Sequence, residues 1–424
     1  VSNQALALQF FVQLAIILAA VRVVGYAARW VGQPQVVGEM IAGVLLGPSL
    51  FGLVAPDVFA WAFPKGSTSV LYVMSQVGVA LYMFLVGVEF DLETVKKRAG
   101  SAATVSIAGI AVPFALGAAL AVSLPNRERY FAPTASHFMV GLFLGSALSI
   151  TAFPMLARII YERGLAGSEV GTLALAAGAS DDAVAWVNLA FVLSLFGGDK
   201  SLIFKAIGGG LVYLVVVFVV GRRLLGRLER HVAEKRRMEG SVLGVVVMLL
   251  GLGCALMDFA GLHAVFGAFI LGLAMPKGAL AEALQRVLEP VATNVFVPMF
   301  FVFSGLNTKL SLALSPALVL PTLAVVLIAC VGKLVACYGA ARLHGTPHRE
   351  AMAVGALMNA RGLMELILLN IGLERGFITP TLFTMMVIMA IATTFMATPL
   401  FEWVYGRRAP RTAPDDAVPS GLGG

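Results

Sequence analysis

The chain has 424 residues, of which 59% are hydrophobic and only 12% charged, against roughly 25% charged in an ordinary soluble domain. Its net charge of +7 would suit a nucleic-acid binder, but the charges gather in short clusters between apolar stretches of membrane-crossing length, about 17–25 residues. This excludes a soluble globular protein and a nucleic-acid partner, and the lack of polar/apolar alternation excludes a β-barrel.

The expectation is an all-α polytopic membrane protein lodged in a lipid bilayer. Thirteen spans follow one another at about 6–30, 34–52, 68–90, 101–124, 137–161, 169–196, 201–224, 240–258, 262–276, 289–306, 316–342, 349–374 and 379–403. The first has no basic n-region, and its charges, Arg22 and Arg29, fall at its far end. It therefore reads as a spanning helix rather than a secretory signal. With the N-terminus outside and sides alternating, 21 of the 30 Lys and Arg residues fall inside, 7 outside, and Lys333 and Arg361 within the membrane. That asymmetry orients the chain with its C-terminus in the cytoplasm, and the expected location is a plasma (inner) membrane. Arg222 to Glu239 reads as an amphipathic cytoplasmic connector between two halves. Cys254, Cys330 and Cys337 lie inside apolar spans without metal-like spacing and read as packing residues. The tail from Gly406, rich in Pro, Gly and Asp, is expected to be disordered and too short to fold alone.

The span at 169–196 carries Ser180-Asp181-Asp182. One ionised side chain at bilayer depth costs about 2.5–3.5 kcal/mol on insertion scales, and adjacent acids repel each other as well. Such a pair persists when protons or cations neutralise it, which makes it an intramembrane cation and proton site.

The two halves also resemble each other upside down. Ala42-Gly43-Val44-Leu45-Leu46-Gly47 parallels Gly267-Ala268-Phe269-Ile270-Leu271-Gly272, and Gly87-Val88 with Leu92 parallels Gly305-Leu306 with Leu310. Ala147 to Leu156 aligns with Ala356 to Glu365. The matched spans start on opposite sides of the membrane, as inverted repeats of five spans each, 2–6 and 9–13. Secondary transporters place substrate sites at such repeat interfaces. The third pair carries helix breakers at equivalent places. Pro154 removes a backbone donor and frees carbonyls around Ser149 to Thr151, while Gly362, beside Asn359 and Arg361, weakens the other span. Irregular backbone at this depth belongs beside protein or a wet cavity, so the two interrupted helices are expected to cross next to the Asp pair.

Asp181, Asp182, Lys333, Arg361 and Glu365 are the deep ionisable residues. Ionised, they sum to −1, leaving room for one monovalent cation. Lys333 lies mid-span and needs Asp181 or Asp182 as partner; a buried lysine that loses its acid can release a proton. Arg361 holds its proton and serves as a counter-charge, with Glu365 as its i,i+4 mate. Glu39, Glu89 and Glu289 lie toward the cytoplasmic side, as candidates for a cation-attracting entry funnel or as interfacial, structural charges. Arg158 tunes pH response or snorkels, Asp258 is solvated, and His263 lacks co-ligands for a metal. His344 and His348 share a cytoplasmic loop. No cofactor is called for, and no nucleophile–base pair or phosphate loop marks an enzyme.

Several segments resemble the monovalent cation:proton antiporter superfamily, in its Kef-like branch near the plant cation/proton exchangers. They are Gln33-Pro34-Gln35-Val36-Val37-Gly38-Glu39 leading to Gly47-Pro48-Ser49, Ser149 to Arg158, Asp181-Asp182 with Ala185-Trp186, and Met358 to Leu366. The resemblance implies the sodium/proton antiporter fold and a homodimer working by elevator-type alternating access. Residues 1–100 and 240–310 would be scaffold, 101–200 and 311–405 a moving core, 201–239 the linker, and 406–424 a tail. It further assigns Asp182 the main cation and proton position, Asp181 the preceding acid, Lys333 its partner and Thr151 a place lining the site with Ser149. Asp181 stands where many plant exchangers have Asn. The expected chemistry is electrogenic exchange of Na⁺ or K⁺ for protons, both competing for the same carboxylates. A K⁺-selective electroneutral exchanger, a gated cation channel and a membrane sensor are the rival readings.

Overall fold

Long apolar runs without competing polar groups bury their backbone polarity internally, so in lipid they form helices. The computed structural model describes residues 3–33, 35–64, 66–89, 99–163, 165, 168–195, 200–260, 262, 264–313 and 315–406. For 36, 99, 154, 158, 161, 162, 182, 183, 186, 189, 190, 193–195, 200–207, 313 and 363 it describes the backbone alone. Lys96, Lys97 and Arg98, His263 and the tail from 407 lie outside the described residues.

The first half comprises α1 (Asn3–Trp30), α2 (Gln35–Leu46), α3 (Thr68–Glu89), α4 (Ala99–Ser123), α5 (His137–Ser149), α6 (Phe153–Glu162) and α7 (Glu169–Leu195). A long helix α8 (Lys200–Val216) passes through a π-turn at Val217–Gly221 into α9 (Arg222–Lys235). The second half comprises α10 (Gly240–Phe259), α11 (Ala264–Leu273), α12 (Ala279–Val291), α13 (Val297–Leu306), α14 (Pro316–Leu343), α15 (His348–Leu357), α16 (Leu363–Glu374) and α17 (Pro380–Tyr405). Among the described residues the only extended pairing is one bridge, Phe131 to Ile378. It ties the loop before α5 to the loop before α17, with Ala132 N–H donating to Phe377 O at 2.9 Å.

Eight described segments are long and apolar enough to cross a membrane. The spans expected at 137–161 and 349–374 are each two helices, α5–α6 and α15–α16, and the span at 262–276 is the short α11. The breaks fall where the breakers sit, with one refinement. Pro154 lies in the first turn of α6 rather than inside a continuous helix, where a missing N–H costs nothing. The interruption is residues 150–152, just before it.

Helices α4, α5, α6, α7, α14, α15, α16 and α17 pack on one another, as do α1, α2, α3, α10, α11, α12 and α13. The groups touch where α2 meets α17 and α13 meets α16. Inside the second group the repeat glycines meet crosswise. A Cβ on Gly47 would reach Gly305 C at 3.1 Å, and one on Gly87 would reach Gly272 Cα at 3.0 Å. Gly47 corresponds to Gly272, and Gly305 to Gly87, so the repeat relation exchanges the two crossings. Only glycine allows helix backbones to come this close.

Candidate cation and proton site

The site forms where α7 and α14 reach the break between α5 and α6. Lys333, fully buried in the middle of α14, donates from Nζ to Ser149 O at 2.5 Å and to Asp181 Oδ2 at 3.1 Å. Thr151, inside the break, donates from Oγ1 to the same Oδ2 at 2.6 Å. Asp181 Oδ1 is buried and, among the described residues, accepts no hydrogen bond. One carboxylate oxygen is thus saturated and the other is open. Asp182 follows on α7; its side chain lies outside the described set, as do those of Pro154 and Arg158.

Arg361, also fully buried, forms the expected i,i+4 ion pair with Glu365 and directs its hydrogen bonds to the end of α5. Its Nη1 donates to Ala147 O at 3.0 Å and Ile150 O at 3.2 Å, and Nη2 to Leu148 O at 2.6 Å. Glu365 Oε2 stands farther off, 3.6 Å from Nη1. A helix interrupted at Ser149 leaves its last carbonyls without intrahelical partners, and the planar guanidinium fork suits several at once. Arg361 therefore caps α5 across the crossing, and Lys333 takes the remaining carbonyl. Both cations sit at the negative end of a helix dipole, whereas Glu365 sits in the first turn of α16, at a positive end. The backbones of the two breaks join directly, Ala152 N–H donating to Ala360 O at 2.9 Å. Asn359, buried, donates from Nδ2 to Gly355 O at 3.1 Å and so closes the end of α15. Gly362 has extended backbone at φ 171, so its role rests on the break and not on left-handed geometry.

The outlying acids are less uniform than expected. Glu39 is buried on α2, with Gln35 Nε2 donating to Oε1 at 3.1 Å. Glu89 is exposed at the end of α3, with Gln285 Nε2 donating to it at 3.4 Å. Glu289 and Asp258 are exposed. His344 and His348 do not pair with each other: His344 Nε2 meets Thr104 Oγ1 at 2.8 Å, and His348 Nδ1 meets the Tyr338 hydroxyl at 3.0 Å.

Three features escaped the sequence. Gly109 on α4 backs the ion pair: a Cβ there would lie 3.8 Å from Lys333 Cε and 3.9 Å from Asp181 Oδ2. Thr394 on α17 accepts from Arg361 N–H at 3.0 Å and donates to Ala390 O at 2.7 Å. Asn370 on α16 donates to Ser304 Oγ on α13 at 3.1 Å, a buried polar link between the two helix groups. Glycines are frequent in spanning helices, so Gly109 gives no signal. Buried threonines in an apolar span were the available hint for Thr394.

A membrane-embedded ion pair at the crossing of two interrupted helices defines a secondary cation transporter rather than an enzyme. Residues 16–405 match the model of the sodium/hydrogen exchanger transmembrane family, and the chain belongs to that family. The protein is 37% identical over 398 residues to the Na⁺/H⁺ antiporter NhaS4 of Synechocystis, covering 92% of this chain and 95% of that one. It is 34% identical to cation/H⁺ antiporter 15 of Arabidopsis thaliana, over 93% of this chain and 48% of that one. It is 31% identical to K⁺/H⁺ antiporter 1 of Saccharomyces cerevisiae, over 97% and 49%. The chain spans about half the length of these last two relatives. Among solved structures, the sodium proton antiporter MjNhaP1 of Methanocaldococcus jannaschii shares the fold, with TM-score 0.60 at 17% identity over 93% of this chain and 96% of that one.

Proposed function

We propose that the protein exchanges a monovalent cation, Na⁺ or K⁺, for protons across a membrane. The observation that carries this reading is Asp181: one oxygen is held by Lys333 and Thr151, and the other is buried without a donor among the described residues. Relatives named as Na⁺/H⁺ and K⁺/H⁺ antiporters support it. With no cation bound, the Lys333 ammonium neutralises Asp181. An arriving cation takes its charge from Asp182 and Asp181, so Lys333 is displaced and gives up its proton. Proton and cation compete for one coupled cluster, whose protonation steps belong to the group and not to single residues. Releasing a lysine proton in addition to the Asp182 proton makes the exchange electrogenic.

In this reading α4–α7 and α14–α17 move as a core against a scaffold of α1–α3 and α10–α13, which also forms the contact in a homodimer. The exchanger resides in a plasma (inner) membrane with its N-terminus outside. The test is exchange driven by a pH gradient in proteoliposomes, with paired Na⁺ and K⁺ titrations. Asp182→Asn is expected to abolish cation-dependent proton movement, and its persistence removes Asp182 from the mechanism. Lys333→Gln is expected to abolish the dependence of rate on membrane voltage; an unchanged voltage dependence removes the lysine step.

A further inference from the structure

We propose that α9 is a binding site for anionic phospholipid headgroups, fixed to one group of helices by a carboxylate cap. Three observations converge on it. First, α9 has two opposite faces. Leu225 and Val232, seven residues apart, are buried with Leu228 packed beside them. Arg223, Arg227 and Arg230, at the i, i+4, i+7 spacing of a single helical stripe, are exposed on the far side. Second, the stripe keeps a net positive charge. Glu234 is exposed on the same face, four residues after Arg230, but Arg222, Arg223, Arg227, Arg230, Arg236 and Arg237 have no carboxylate within ion-pair distance among the described residues, while Lys235 is occupied by Glu239 at 2.7 Å. Third, the helix is held in place. Glu229 accepts from Ala279 N–H at 2.9 Å and Leu280 N–H at 2.8 Å, capping the N-terminus of α12. Its Gly278 has φ 151 and no room for a Cβ against that carboxylate.

The position selects the ligand. Val216, Val219 and Val220, exposed apolar side chains on the helix that runs unbroken into α9, face hydrocarbon in a bilayer. The arginines begin immediately after them. A basic stripe at that boundary, on the side rich in positive charge, meets phosphate headgroups of the facing leaflet. The geometry is that of a headgroup clamp: rigid guanidinium forks suit phosphate oxygens in pairs. Because α9 is anchored to α12, bound lipid would hold that group of helices in the leaflet while the others move. Only this consequence rests on the exchange reading; the binding does not.

The test is lipid binding by the purified full chain in detergent, followed by native mass spectrometry and by the shift in thermal unfolding. The probes are phosphatidylglycerol, phosphatidylcholine and inorganic phosphate. Each basic side chain near an anionic surface contributes about fivefold in affinity, from ~1 kcal/mol per residue. Replacing Arg223, Arg227 and Arg230 by Gln is therefore expected to weaken phosphatidylglycerol binding about 100-fold. Replacing all three by Lys is expected to restore most of it, and Arg127→Gln with Arg129→Gln to leave it unchanged. The proposal is overturned if the Gln triple variant binds phosphatidylglycerol within twofold of the unaltered protein, or if phosphatidylcholine binds as well. Inorganic phosphate producing the same stabilisation also overturns it, in favour of a free-anion site.

Discussion

Gly109 offers a sharp test of how α4 supports the ion pair. A methyl group at this position would stand 2.7 Å from Cys337 Sγ but 3.8 Å from Lys333 Cε and 3.9 Å from Asp181 Oδ2. The last two are ordinary contacts, so only the sulfur is in the way. Cys337 is fully buried, with its Sγ already 3.9 Å from Val105 O of the same α4. Overpacking of this kind costs about 1–3 kcal/mol, while replacing a helical glycine by alanine returns up to about 1 kcal/mol. Gly109→Ala is therefore expected to destabilise by about 0–2 kcal/mol. With Cys337→Ala in place the collision is gone. The same substitution then becomes stabilising, by about 0.5–1 kcal/mol. The sign reversal corresponds to a coupling of about 1–3 kcal/mol. Denaturant unfolding of the four proteins in one detergent measures it, and proteoliposome exchange by the double variant should keep its cation KM. Additivity within about 0.5 kcal/mol would show that Gly109 does not face Cys337, and that α4 is not the wall behind Lys333.

Two further outcomes follow from the same geometry. Arg361→Lys keeps the charge but replaces a fork serving three carbonyls with a single ammonium, leaving buried acceptors unpaired at about 1–3 kcal/mol each; unfolding should show a loss close to that of Arg361→Met. If Lys supports full stability, the capping role is refuted. Glu239, outside the membrane spans, is held below the ordinary carboxylate range by the hydrogen bond and charge of Lys235, with His231 assisting. A depressed group stabilises above its ordinary range and loses that contribution as pH falls through its lowered value. The turn at 235–240 should therefore lose hydrogen-exchange protection on acidification, and Glu239→Gln should remove that pH dependence.

Much of the architecture was legible because lipid allows few solutions. Apolar runs of spanning length and clustered arginines revealed the helices. Asp181 and Asp182 stood out because, beyond Glu169 in the first turn, nothing else in their span is charged. The paired breakers around Pro154 and Gly362 marked the crossing. What stayed hidden depends on where side chains reach. Spacing revealed Glu365 as the i,i+4 mate of Arg361 but not the other partners of that guanidinium. The carbonyls of Ala147, Leu148 and Ile150 lie more than 200 positions away in the chain and became acceptors only once α5 ended beside the second break. Glu229 looked like one acid in a basic connector, since its target, the start of α12, has no sequence signature. The length of the α11 helix was also obscured, because the hydropathy of residues 262–276 does not show where a helix ends.

The repeat relation makes the two breaks comparable, and their differences assign them different work. Thr151 corresponds to Ala360, and Ala152 to Arg361. The bond from Ala152 N–H to Ala360 O would have a symmetric mate from Arg361 N–H to Thr151 O. That N–H goes to Thr394 Oγ1 instead. The second break is thus tied down by Thr394, and its Arg361 guanidinium reaches across to hold the carbonyls that end α5, while the first break contributes the hydroxyl of Thr151 beside an open carboxylate oxygen and a displaceable ammonium. A hydrogen bond to a charged group contributes about 1.5–3 kcal/mol, so Thr151→Val should raise the cation KM by about 10-fold or more and alter the pH profile of exchange. Thr394→Val removes two neutral bonds, one accepted and one donated, together about 1–3 kcal/mol, and should lower unfolding stability with KM unchanged. Proteoliposome kinetics and denaturant unfolding on the same preparations separate the two effects. A KM shift for Thr394→Val as large as that for Thr151→Val would mean that both breaks hold the ion, and the division of labour between the repeats would be wrong.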